Sequence, residues 1–150
     1  MRIIARNKKA RHNYEILEEY EAGIVLKGSE VKSVRAGKVS IVESFAKVEG
    51  GQLWLENMYI APYDKASGIF GHEPRKKRKL LMHKKEIKRL AGKLAQKGLT
   101  LIPLEVYIND RGLVKIKLGL ARGKKQYDKR EAIKKKDLKR KIASELKNYR

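Results

Sequence analysis

Three histidines, a run of glutamates and several Gly-Lys pairs are the residues of this chain best equipped for chemistry. His12, His72 and His83 stand far apart with no H-x-x-x-H pair among them, so an imidazole-bound metal is not encoded. Surface or hydrogen-bonded roles suit all three, with contact to a bound partner the alternative for His12. Glu18, Glu19 and Glu21 lie closer together. Alternation puts Glu19 and Glu21 on one strand face, where they could hold Mg²⁺ or act as a general acid and base. Solvated strand residues are the plainer reading of the same spacing. Gly37-Lys38, Gly92-Lys93 and Gly123-Lys124 are followed by Val, Leu and Lys, not by the Ser or Thr that a phosphate loop uses to hold magnesium. With no cysteine there is no disulfide, no Cys-based zinc site and no thiol nucleophile. The expectation is a protein that is not an enzyme and uses neither metal nor cofactor; a metal-dependent nuclease is the competing enzyme reading.

Binding chemistry is far more visible. The 150 residues carry 38 Lys+Arg against 17 Asp+Glu, a formal net charge of +21. Residues 1–13 hold 5 basic and no acidic groups, 75–97 hold 11 and 1, and 122–150 hold 13 and 4. Residues 14–74, by contrast, are net acidic and 98–121 nearly neutral. An ordinary core with three basic appendages points to a polyanion held in a defined place rather than coated at random. Asn7-Lys8-Lys9-Ala10-Arg11-His12 joins phosphate donors to an amide and an imidazole. Gly123-Lys124-Lys125-Gln126-Tyr127-Asp128-Lys129-Arg130 sets one aromatic among cations, and stacking of Tyr127 on an unpaired base would add roughly 1–3 kcal/mol.

The elements that must position these groups are mostly strands. Tyr14 to Leu26 reads as two strands with a bend at Gly23, and Ser29 is placed to cap a short helix ending at Ala36-Gly37, with Lys32 and Arg35 outward. Alternation at Val42, Ser44, Ala46 and Val48, then at Leu53 and Leu55, flanks Gly50-Gly51 and predicts a two-residue hairpin. Met58 to Tyr63 predicts a short strand, and Asp64 to Pro74 a loop. Ile87, Leu90, Ala91, Leu94 and Ala95 predict an amphipathic helix closed at Gly98. From Leu99 to Ile108 the apolar parity changes beside Pro103, which predicts a bulge. Asn109 to Gly112 is a turn, and Val114 to Leu120 alternate again. These elements predict a mainly β fold: a small antiparallel OB-like β-barrel with about two to three helices, closed because closure removes exposed edges. Residues 1–121 would form this barrel with a basic N-terminal arm, and 122–150 a basic C-terminal tail.

In the tail, Leu138, Ile142, Leu146 and Tyr149 keep helical spacing on a thin stripe. An isolated helix of about 15 residues is marginal in water. Such a tail is expected to be disordered alone and to become helical when a polyanion neutralises it. The apolar run at Ile3-Ile4-Ala5 is too short for a secretory signal and no segment could span a membrane, so a cytoplasmic protein without membrane partners is expected.

Five motifs in order go beyond generic RNA binding. They are Asn7 to Tyr14, Tyr20 to Ile24, Gly28 to Lys38, Arg78 to Leu81 and Gly123 to Arg130. Together they closely resemble the SmpB family of bacterial SsrA-binding proteins. The resemblance implies an OB-like partner of transfer-messenger RNA that binds its tRNA-like domain and brings it to ribosomes stalled without a stop codon. It implies RNA contacts at Asn7, Glu21 and Leu81, with Lys8, Arg11, His12, Lys32, Arg35, Lys38 and Lys79 as basic or polar neighbours. It also implies that Gly123, Lys124, Lys125, Tyr127, Asp128, Lys129 and Arg130 belong to a tail probing the ribosomal small-subunit decoding centre and the empty mRNA channel. The protein is expected to act as a monomer. Ser29 stands where the family often has Thr, and Tyr127 where some members have His; both changes are conservative.

Overall fold

A computed structural model describes residues 1–63 and 71–124. The chain runs β1 (Arg2–Arg6), α1 (Ala10–Asn13), β2 (Tyr14–Ile24), α2 (Gly28–Arg35), β3 (Val39–Ser40), β4 (Phe45–Glu49), β5 (Gln52–Glu56), β6 (Tyr59–Ile60), β7 (Arg78–Leu81), α3 (Lys84–Leu94), β8 (Leu99–Ile108) and β9 (Val114–Gly123). The main sheet has the order β1-β8-β4-β5-β7-β2-β9, and β9 pairs back on β8. Six strands, β8-β4-β5-β7-β2-β9, therefore close into an antiparallel ring, with β1 added at β8. The interior is filled by Val34, Leu53, Leu55, Leu80, Leu90, Leu101, Ile116 and Leu118, all essentially inaccessible to water. The mainly β architecture is the one the alternation predicts, and α2 and α3 fall where helices were expected, whereas β1 and α1 were not foreseen and the helix expected in the tail lies outside the described residues.

Local chemistry fixes several joints. Gly50 and Gly51 both adopt positive φ, and Glu49 pairs with Gln52 across the two-residue turn. The register of β8 slips between Pro103 and Glu105 in its ladder with β9, where the apolar parity changes. Gly37 ends α2 in a left-handed conformation. There Gly37 N–H donates to the Val34 carbonyl and Lys38 N–H to that of Ser33, a Schellman arrangement. α3 buries Ile87 and Leu90 and stops before Gly98, also at positive φ.

Other expectations need correction. Residues 14–24 form one strand, because β9 pairs with it as far as Gly23 and β7 takes over at Gly23 and Ile24. Its irregularity lies at Leu17, between Ile16 and Glu18, not at the glycine. Ser29 does not cap α2: Lys27 holds that position, and its N–H donates to Glu30 Oε1 at 2.8 Å. Ser29 is instead buried in the first turn and hydrogen-bonded to His72 Nδ1 at 2.8 Å. Alternation in β4 begins only at Phe45. Val42 is exposed, while Ser44 turns its hydroxyl to the Ile41 carbonyl at 2.6 Å. The strand predicted over 58–63 shrinks to Tyr59–Ile60, and the basic run 75–79 enters strand β7, which alternation had not marked. Much of the predicted loop and of the tail lies outside the described residues.

Candidate nucleic-acid interface

The outward face of the ring is built by register. On one rung Tyr107 (β8) faces Lys115 (β9), Gly23 (β2) and Leu81 (β7); on the next, Glu105 faces Lys117 and Glu21. Ile116, Leu118, Val106 and Ala22 point inward and are buried, so their neighbours in sequence must point out. Gly23 leaves a gap in that face. A Cβ there would lie 3.4 Å from Leu81 Cβ and 3.8 Å from Lys115 Nζ. The gap is the floor of a hollow lined by Glu21, Gly23, Leu81, Met82, His83, Glu86 and Lys115. Leu81 is 51% exposed, an uncovered apolar side chain beside a carboxylate and an ammonium.

Glu21 is held rather than loose. The Tyr107 hydroxyl donates to its Oε2, and Tyr107 is itself only 5% exposed. Burial, reinforced by the Glu21 carboxylate, pushes the Tyr107 phenol well above its ordinary range, so it stays a donor. An ionised carboxylate is acceptor-only, and the tyrosine takes one of its sites. Glu21 also lines the hollow, where the remaining acceptor sites of a carboxylate suit N–H donors rather than phosphate.

The neighbouring acids have separate partners. Glu18 pairs with Lys93 at 2.5 Å and accepts from Tyr20; Lys93 first, then Tyr20, lowers its pKa. Glu19 pairs with Arg11 at 2.7 Å. Each of the three glutamates is thus bound to a different group, and no cluster of three His, Cys, Asp or Glu among the described residues could hold a metal ion.

The other predicted contacts are spread around the ring. Asn7 is not in the Glu21 hollow: it is 9% exposed, and its amide nitrogen donates to the Pro103 carbonyl at 3.1 Å and, more weakly, to that of Ile41 at 3.5 Å. Lys8, Arg11 and His12 are exposed on or beside α1. Lys32, Arg35 and Lys38 are exposed on or just beyond α2, with Lys32 over the Tyr63 ring at 5.1 Å. Lys79 is half-buried in β7, paired with Trp54. Gly123 ends β9 opposite Tyr14, and Lys124 Nζ donates to the Arg11 carbonyl at 2.9 Å, tying the two basic segments together. Lys125, Tyr127, Asp128, Lys129 and Arg130 lie outside the described residues.

One cation of the basic run is spent internally. The Arg78 side chain is fully buried; it pairs with the equally buried Glu30 and donates to the carbonyls of Met58 at 2.7 Å and Pro74 at 3.0 Å. Burial alone would raise the Glu30 pKa, but the Lys27 N–H, Arg78 and Lys76 outweigh it and hold the carboxyl below its ordinary range. Sequence reading missed this pair and also Tyr107, Lys115 and Lys117. The last three were accessible, since their apolar neighbours already claimed the interior parity.

A closed ring of antiparallel strands, with a basic and apolar outer face and further cations at α1, α2 and the end of β9, is the build of an RNA-binding domain. More particularly, the chain belongs to the SmpB family, whose model, described as SmpB protein, matches residues 4–148. It is 60% identical over 140 residues to an SsrA-binding protein of Thermus thermophilus, covering 93% of this chain and 96% of that relative. It is 52% identical over 145 residues to one of Coprothermobacter proteolyticus, covering 97% of each. A solved chain described under "tmRNA-SmpB: a journey to the center of the bacterial ribosome" superposes with a TM-score of 0.68 at 63% identity, over 80% of this chain and 83% of that one.

Proposed function

We propose that this protein binds the tRNA-like domain of transfer-messenger RNA and delivers it to stalled ribosomes for rescue, without being an enzyme. The observation that carries the reading is the Glu21–Gly23–Leu81 hollow: an oriented acceptor, an exposed apolar wall and Lys115 converge there, on a chain whose relatives are SsrA-binding proteins. A carboxylate among phosphates is unfavourable unless base or sugar donors satisfy it, so the hollow favours an RNA element that presents an unpaired edge. Lys8, Arg11, His12, Lys32, Arg35, Lys38 and Lys79 supply the phosphate-facing surroundings, which fix orientation without reading sequence.

In this reading the chain divides into a ring that holds RNA and a C-terminal tail that probes the decoding site and the vacant message channel. Gly123, Lys124, Lys125, Tyr127, Asp128, Lys129 and Arg130 form the start of that probe. An intact message would exclude the tail, giving selectivity for stalled complexes in the cytoplasm. No described helix is long and apolar enough to cross a membrane. Truncation after Gly123 tests the division: affinity for the tRNA-like RNA should stay near that of the full chain while peptide tagging on stalled ribosomes stops. Loss of RNA binding in the truncated protein would refute it.

A further inference from the structure

The ring closes least completely between β4 and β8. Ala46 and Leu101 are the one residue pair joining those strands, and past them Lys47 and Val48 have no partner strand on the β8 side among the described residues. The strands part there around a hollow of about 430 Å³, walled by Phe45 and Val48 of β4, Ala91, Leu94 and Ala95 at the end of α3, and Leu99 at the start of β8. The main core surfaces at this seam: Val48, Leu94 and Leu99 pack against it yet are only half-buried, and Phe45 is 41% exposed. A strand edge without a neighbour, beside open apolar side chains, is a template for another strand. Charge narrows the choice of occupant. Lys84, Lys88, Ala91 and Ala95 recur at i, i+4, i+7 and i+11, so the two lysines share the hollow's side of α3. Both are exposed, and neither has an acidic partner among the described residues. Lys47, which also lines the hollow, is already paired with Glu49 at 3.1 Å and Glu56 at 3.0 Å, and no acid is among the lining residues.

We propose that this seam docks an extended, acidic segment of a partner protein. The segment adds to the open edge of β4 through backbone hydrogen bonds, seats one apolar side chain between Val48, Leu94 and Leu99, and turns its carboxylates to Lys84 and Lys88. A peptide backbone repeats the donor and acceptor spacing of a strand edge, which a nucleic-acid strand does not. The chain's own tail has the wrong charge, since residues 122–150 hold 13 basic groups and 4 acidic. This hollow shares no lining residue with the one holding Glu21 and Leu81, so the inference stands apart from the RNA reading above.

The test titrates the full-length, isotope-labelled protein with three probes: a short synthetic peptide alternating leucine with glutamate, the same peptide with serine for leucine, and single-stranded RNA of matching length. The leucine peptide should saturate and shift the backbone amide resonances of Lys47, Val48, Leu99 and Thr100. It should bind about tenfold more tightly than the serine peptide, which carries the same charge without an apolar anchor. Lys88→Glu, on the exposed side of α3, should weaken the leucine peptide about tenfold. Ala95→Glu, at an exposed lining position, should also weaken it. Equal binding of the two peptides, or leucine-peptide binding that either variant leaves unchanged, would reduce the contact to general attraction by a chain of charge +21 and overturn the inference. RNA that shifts those four amides at lower concentration than the leucine peptide would overturn it as well, by making the seam part of the nucleic-acid surface.

Discussion

Replacing Arg78 by alanine separates the cations that hold this fold from those that hold RNA. The guanidinium is inaccessible to water, as is its partner Glu30, and it also donates to the backbone of Met58, Pro74, Glu73 and Lys76. Its loss leaves a buried carboxylate with Lys76 at 3.5 Å as the remaining side-chain cation. Breaking a buried pair from one side costs about 3–5 kcal/mol. Orphaning the Met58 and Pro74 carbonyls adds about 1 kcal/mol each. With partial compensation by Lys76, a total of roughly 4 kcal/mol is a large share of the 5–15 kcal/mol that stabilises a typical domain. Urea unfolding followed by the fluorescence of Trp54, the one tryptophan of the chain, reads this directly, since Trp54 pairs with Lys79 beside Arg78. Lys79→Ala, one residue along the same strand, should change stability by about 0.5 kcal/mol or less and act on RNA affinity instead. If Arg78→Ala kept wild-type stability, or lost RNA binding while remaining equally stable, the reasoning would be wrong.

Three further outcomes follow from particular contacts. A Cβ added at Gly119 would meet Leu104 Cδ1 at 3.0 Å and Ile16 Cγ2 at 3.2 Å, so Gly119→Ala should lower stability by about 1–3 kcal/mol in the same unfolding assay. Tyr107→Phe releases the Glu21 carboxylate and should weaken binding of the tRNA-like RNA about tenfold, the worth of one oriented hydrogen bond, in a gel-shift titration. Because the folded state holds the Glu30 carboxyl below its usual value near 4.5, its contribution is fully present above that pH and is lost as pH falls through the lower folded value. The acid-side decline in urea midpoint should therefore be shallower in Glu30→Gln than in wild type.

Short-range rules made much of the ring legible before any coordinates. A Gly-Gly pair between alternating strands, a parity change at Pro103 and apolar residues at helical spacing each have a local cause, and each appears where that cause acts. Long-range pairing was not legible. Gly23 looked like a break because nothing in the sequence says that β7 and β9 flank it from either side and hold it extended. Arg78 was only one member of a basic run in the sequence, because its partner lies 48 residues away, in the first turn of a helix. At the interface, Glu21 and Leu81 were recognised from their motifs, yet only the sheet register brings them across Gly23 into one hollow. Asn7 came from the same reasoning, and the structure puts it away from that hollow, where backbone carbonyls hold its amide.

In the proposed function the Glu21–Gly23–Leu81 hollow recognises one folded RNA rather than adding to general attraction. Salt titration of binding to the tRNA-like RNA and to an arbitrary duplex, with wild type and Leu81→Ala side by side, tests it most directly. Wild type should keep the tRNA-like RNA at salt concentrations that release the duplex, and Leu81→Ala should lose that margin without altering duplex binding. Parallel release of both RNAs from the wild-type chain, or an unchanged margin in Leu81→Ala, would contradict it.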